Sequence, residues 1–156
     1  MSEKLDEMYR DIIMDHYRYP RGKKRLDHAD LENMGKNPAC GDEIELSLKM
    51  DGDKVADIAI GCQGCAISIA SGSMLSEIVK GRSVEEVKKI AAVVKALIKG
   101  EPLPKDHGLD LGDIEALQGV KNFPVRIKCA LLAWTTLTDS LETYENKLPS
   151  HVTSTE

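Results

Sequence analysis

Four cysteines and one aspartate in this chain of 156 residues have the types and spacing to bind a metal or handle sulfur: Cys40, Asp42, Cys62, Cys65 and Cys129. In "NPACGDE", Pro38 fixes the chain before Cys40, and Gly41 separates Cys40 from Asp42. Side chains two apart on a strand share a face but lie about 7 Å apart, so a turn at glycine is needed to aim both at one centre. "GCQGC" holds Cys62 and Cys65 in a CxxC spacing. Cys65 falls where a strand gives way to a helix, and the free N–H groups of a helix start favour a thiolate. Cys129 falls in the second turn of the last helix. The ligand set read from these positions is Cys40, Asp42, Cys65 and Cys129. Three thiolates suit zinc or an iron–sulfur cluster, whereas a carboxylate is unusual in a purely structural zinc site.

Charge is consistent with a shared centre. Four anionic ligands around a dicationic zinc or two-iron core leave a net charge of −2. "KNFPVRIKC" gathers Lys121, Arg126 and Lys128 close to Cys129, where they are expected to offset that charge and lower the thiol pKa. The CxxC alone also fits a redox pair or half of a zinc ribbon. Neither wider context is present: the chain lacks the alternating strands and helices of a thioredoxin-like parallel sheet, and it has no second CxxC.

The elements that must position these residues follow from periodicity. Leu5, Met8, Tyr9, Ile12, Ile13 and His16 recur at spacings of three and four and predict an amphipathic helix over residues 4–17. His16, on its apolar face, reads as a core residue rather than a ligand, and His107 as a loop residue. "EIELSLKM" alternates strictly, with Ile44, Leu46, Leu48 and Met50 inward. "DGD" is a turn, and "KVADIAIG" returns through Ala56, Ile58 and Ile60. "AISIASGSMLSEIV" predicts a buried helix. Ser83 and Glu86 form a capping box ahead of the stripe Val84, Val87, Ile90, Ala91, Val94, Leu97 and Ile98. A short helix is expected over 111–117 and a long one from Pro124 to about Tyr144. The fold class is α+β, a small antiparallel sheet with helices packed on one face. Residues 1–143 are expected to form one domain, and 144–156 a polar, flexible tail.

Composition excludes several functions. Hydrophobic residues at 42% and charged residues at 30% describe a globular protein, and aromatics at 4% leave the core to aliphatic side chains. A formal net charge of −5 argues against a nucleic-acid partner. No run approaches the about 20 apolar residues of a membrane span. The charged N-terminus does not read as an export signal, so a cytoplasmic location with reduced thiols is expected.

"NPACGDE", "GCAIS" and "LGDIEALQGVKNFPVRIKCALLAW", with "DHYRYP" near the start, resemble the U-type iron–sulfur cluster assembly family of IscU, SufU and the N-terminal part of NifU. The resemblance covers roughly residues 4–142. It implies that Cys40, Asp42, Cys65 and Cys129 bind the metal or cluster and that Cys62 is a neighbour, either a small buried residue or a sulfur relay. Lys128 stands where the IscU branch carries histidine, and "FPVRIK" replaces the IscU-type "LPPVK". The longer segment between Cys65 and Cys129 resembles the SufU branch. The resemblance implies a non-enzymatic scaffold building a labile [2Fe–2S] cluster from iron and cysteine-desulfurase sulfur for recipient apo-proteins. The alternative is a zinc-dependent (Zn2+) sulfurtransferase, with Cys40 or Cys129 accepting persulfide sulfur. Either is expected to act as a monomer or homodimer.

Overall fold

The computed structural model describes residues 3–103, 108–146 and 152–154; His107 lies outside them. The elements run α1 (Glu3–Arg18), β1 (Leu31–Asn37), β2 (Asp42–Asp51), β3 (Lys54–Gln63), α2 (Ala66–Val79), α3 (Val84–Lys99), a 3-10 helix (Gly112–Val120), α4 (Pro124–Asn146) and β4 (Val152–Ser154). The sheet order is β3-β2-β1-β4. β2 and β3 form the expected antiparallel hairpin, β1 adds antiparallel to β2, and β4 joins β1 in parallel. Alternate residues of β1 and β2 are buried, so one face is covered, with α2 and α4 lying against it.

Strand β1 was not legible in the sequence, because its inward positions are Leu31, Asn33, Gly35 and Asn37 rather than an apolar row. Gly35 faces Leu132 and Thr136 of α4, which fill the space a side chain would take. The returning strand also differs from expectation. A bulge between Lys49 and Met50 pairs Met50 with Val55, so Val55 is buried and Ala56 is exposed. Ile58 and Ile60 point inward as read. The expected boundary at residue 143 falls inside α4, and part of the expected tail forms β4.

The capping box closes as read: Ser83 accepts from the Glu86 N–H, and the Glu86 carboxylate accepts from the Ser83 N–H. All seven stripe residues behind it are buried. Trp134 on α4 is fully buried and donates through Nε1 to Ser71 Oγ of α2 at 3.1 Å, and Ser71 Oγ donates to the Ala130 carbonyl at 2.7 Å. This pair clamps α4, which carries Cys129, against α2, which follows Cys65. His16 is a satisfied core residue, as expected: Nδ1 lies 2.7 Å from Ser73 Oγ and Nε2 2.9 Å from Asp113 Oδ2. It ties α1 to α2 and to the 3-10 helix.

Candidate metal centre

Three chain segments converge at one end of the sheet. Asn37 ends β1 and pairs with Asp42, the first residue of β2. Between them the chain makes a tight turn in which the Cys40 and Gly41 N–H groups both donate to the Asn37 carbonyl, at 3.2 and 2.9 Å. Gly41 has φ +72°, a left-handed conformation that lets the turn close without strain. The turn leaves Cys40 exposed at its tip and buries Asp42 to 1% exposure.

The second segment is the end of β3. Gly64 has φ +144° and brings Cys65 to the N-cap of α2. The Cys65 N–H donates to Asp42 Oδ1 at 2.9 Å, an amide-to-carboxylate bond across the two segments. A Cβ at Gly64 would overlap that carboxylate, so only glycine permits the approach. The third segment is the second turn of α4, which supplies Cys129, fully buried. Its sulfur lies 3.5 Å from that of Cys40.

Cys40, Asp42 and Cys129 therefore present ligand atoms all within 4.8 Å of one another. The Cys65 sulfur stands outside that mutual distance, 3.7 Å from Ser68 Oγ, and reaches the group through its backbone N–H to Asp42 and through its thiol beside Cys129. The donor set fits a metal. In a tetrahedron with metal–sulfur bonds of about 2.3 Å, sulfurs stand about 3.8 Å apart, close to the observed separation. Two thiols and a buried carboxylate at such range are costly to ionise together unless a cation is shared between them.

Electrostatics around Cys129 differ from the sequence expectation. Burial pushes its thiol well above the usual range, and the neighbouring Asp42, Cys40 and Cys65 raise it further. Arg126 and Lys128 are exposed, as is Lys121, and they do not deliver the expected lowering at Cys129. Burial of Cys129 outweighs the nearby surface charges, since water screens the latter and not the former.

Cys62 is half-buried on β3 and packs against the core. Burial pushes its thiol up to about 11, with Asp42 and Cys65 adding to the rise and the Ser68 hydroxyl opposing it. It is a protonated neighbour at neutral pH. Two residues of the site were missed in the sequence: Asn37, whose amide touches Asp42 and Cys129, and Gly64, which admits the Asp42 carboxylate. The glycine before Cys65 in "GCQGC" was the available signal for the second.

Residues 8–130 match the model of the family described as NifU-like N terminal domain. The chain is 46% identical over 133 residues to the zinc-dependent sulfurtransferase SufU of Bacillus subtilis, covering 85% of this chain and 88% of that protein. It is 38% identical over 143 residues to the iron–sulfur cluster assembly scaffold protein IscU of Streptococcus pyogenes, covering 92% and 88%. A crystal structure of a putative SUF-system scaffold from Fervidobacterium islandicum superposes with a TM-score of 0.77 at 34% identity, covering 84% of this chain and 94% of that one. The match spans α1 to the second turn of α4 and includes Cys40, Asp42, Cys65 and Cys129; this chain belongs to the NifU-like N-terminal domain family.

Proposed function

We propose that this protein is an iron–sulfur cluster assembly scaffold, receiving iron and desulfurase-derived sulfur on Cys40, Asp42, Cys65 and Cys129 and passing a [2Fe–2S] cluster to apo-proteins. The observation that carries this reading is the buried Asp42 carboxylate among thiols within 4.8 Å. A carboxylate is a weaker, more exchangeable ligand for iron than a thiolate, which suits a cargo that must leave. Cys129 is the buried anchor, Cys40 the solvent-facing donor, and Cys65 the ligand whose approach completes the set. Phe123 and Val125, 59% and 56% exposed close to Cys129, offer an apolar surface to a desulfurase or a recipient. Among the described residues no helix is long and apolar enough to cross a membrane, and the reading places the work in the cytoplasm.

A second reading is favoured by the 46% identity to a zinc-dependent sulfurtransferase. Here zinc on the same residues is resident and would hold the thiolates ready. Cys40, exposed where Cys129 is buried, is the acceptor. Its thiolate attacks the outer sulfur of the desulfurase persulfide, forming Cys40 persulfide and releasing the desulfurase thiolate.

Iron, zinc and acid-labile sulfide content of protein purified without oxygen separates the two. Brown protein with iron and sulfide, holding its cluster longer in Asp42→Ala, supports the scaffold. Colourless protein that keeps zinc and refuses iron with desulfurase and cysteine supplied refutes the scaffold and leaves the sulfur acceptor.

A further inference from the structure

We infer that Asn37 is a positioning residue of this centre, its side-chain amide holding the Asp42 carboxylate and the Cys129 sulfur in the arrangement that binds metal. The inference rests on the metal-centre reading above. Asn37 is fully buried at the end of β1, directly opposite Asp42 in the strand register. Its Nδ2 lies 3.3 Å from Asp42 Oδ2 and 3.7 Å from Cys129 Sγ. Its carbonyl also closes the turn that carries Cys40. One residue thus touches the turn of the first ligand, the carboxylate of the second and the sulfur of the buried third.

The orientation of the amide follows from chemistry. A carboxylate oxygen accepts, so the NH2 end faces Asp42 Oδ2. That leaves Asn37 Oδ1 buried without a partner among the described residues. The side chain is explained by what its two N–H groups do. With Oδ1 of Asp42 held by the Cys65 N–H and Oδ2 by Asn37, the carboxylate is fixed at both oxygens. Each oxygen keeps a lone pair for a metal. The N–H directed at Cys129 makes its sulfur a hydrogen-bond acceptor, the contact a metal-ligating sulfur takes from its surroundings.

The test compares wild type with Asn37→Ala and with Asn37→Leu, which keeps the volume and removes the donors. Zinc affinity is measured by competition with a chromogenic chelator, and cobalt(II) is substituted to read the sulfur-to-metal charge-transfer band. The expected result is an affinity loss of about 10–100-fold in both variants, the range for removing a partner of a metal ligand. The band should move to longer wavelength, because sulfur lone pairs rise in energy without the N–H. Unchanged affinity and an unmoved band overturn the inference. Should one variant not fold, the other decides. In the wild type itself, the Asn37 side-chain amide proton should shift downfield on zinc loading while that of exposed Asn122 does not; equal behaviour of the two also overturns it. A wild type with no sulfur-to-cobalt band refutes the metal-centre reading instead, so the two failures are distinct.

Discussion

Replacing Gly64 by alanine tests whether the join between β3 and α2 is what builds the site. The backbone there has φ +144°, and a Cβ would overlap Asp42 Oδ1 and stand 2.8 Å from its Cγ and 3.0 Å from its Cα. The last of these is backbone, so the carboxylate cannot simply swing aside to relieve everything. A non-glycine residue held in so sparsely populated a region costs about 1–3 kcal/mol. Displacing the carboxylate also breaks its 2.9 Å bond from the Cys65 N–H. A hydrogen bond to a charged group contributes about 1.5–3 kcal/mol. Together the loss is about 2.5–6 kcal/mol, a large share of the about 5–15 kcal/mol that holds a domain together. At about 2–4 °C per kcal/mol for a chain of this size, the thermal midpoint should fall by about 5–24 °C. Urea denaturation, with zinc affinity measured in parallel, reads both effects. Affinity should fall as well, because the carboxylate moves away from Cys40 and Cys129. A Gly64→Ala protein as stable as wild type, with unchanged zinc affinity, would refute the reasoning about this junction.

Two further outcomes follow from the same packing. The raised Cys62 thiol stabilises the fold fully below the ordinary cysteine value, and that contribution is lost as pH rises through it toward about 11. Cys62→Ala should therefore lose less stability than wild type over that alkaline window while keeping its full metal content; equal alkaline profiles in denaturant titrations would count against the burial argument. Trp134→Ala removes the largest fully buried side chain and its bond to Ser71. It should cost about 3–5 kcal/mol in urea unfolding and loosen the seating of Cys129; a loss below that range would mean the clamp between α2 and α4 matters little.

Most of the fold was legible where one face of an element carries apolar residues. The alternation in "EIELSLKM", the stripe of α3 and its Ser83–Glu86 box translate directly into burial, since each depends only on local geometry. β1 was illegible for the converse reason: its inward row is not apolar, with Gly35 placed where α4 fills the space beside it and Asn37 where its amide meets the site. The bulge that exchanges Val55 for Ala56 is set by how β2 and β3 pair, which no single strand records.

The same division runs through the site. The sequence by itself determined the donor types, their placement at a glycine turn, a helix start and a helix's second turn, and the family those motifs mark. It did so because turn and cap preferences are properties of a few adjacent residues. Only the tertiary structure decided that Cys40, Asp42 and Cys129 meet within 4.8 Å while the Cys65 sulfur stays outside that group. It likewise decided that burial rather than the nearby cations governs Cys129, and that Asn37 and Gly64 frame the carboxylate. Those facts depend on distances between residues up to 92 positions apart and on how far each is withdrawn from water, quantities that arise only when β1, β3 and α4 pack together.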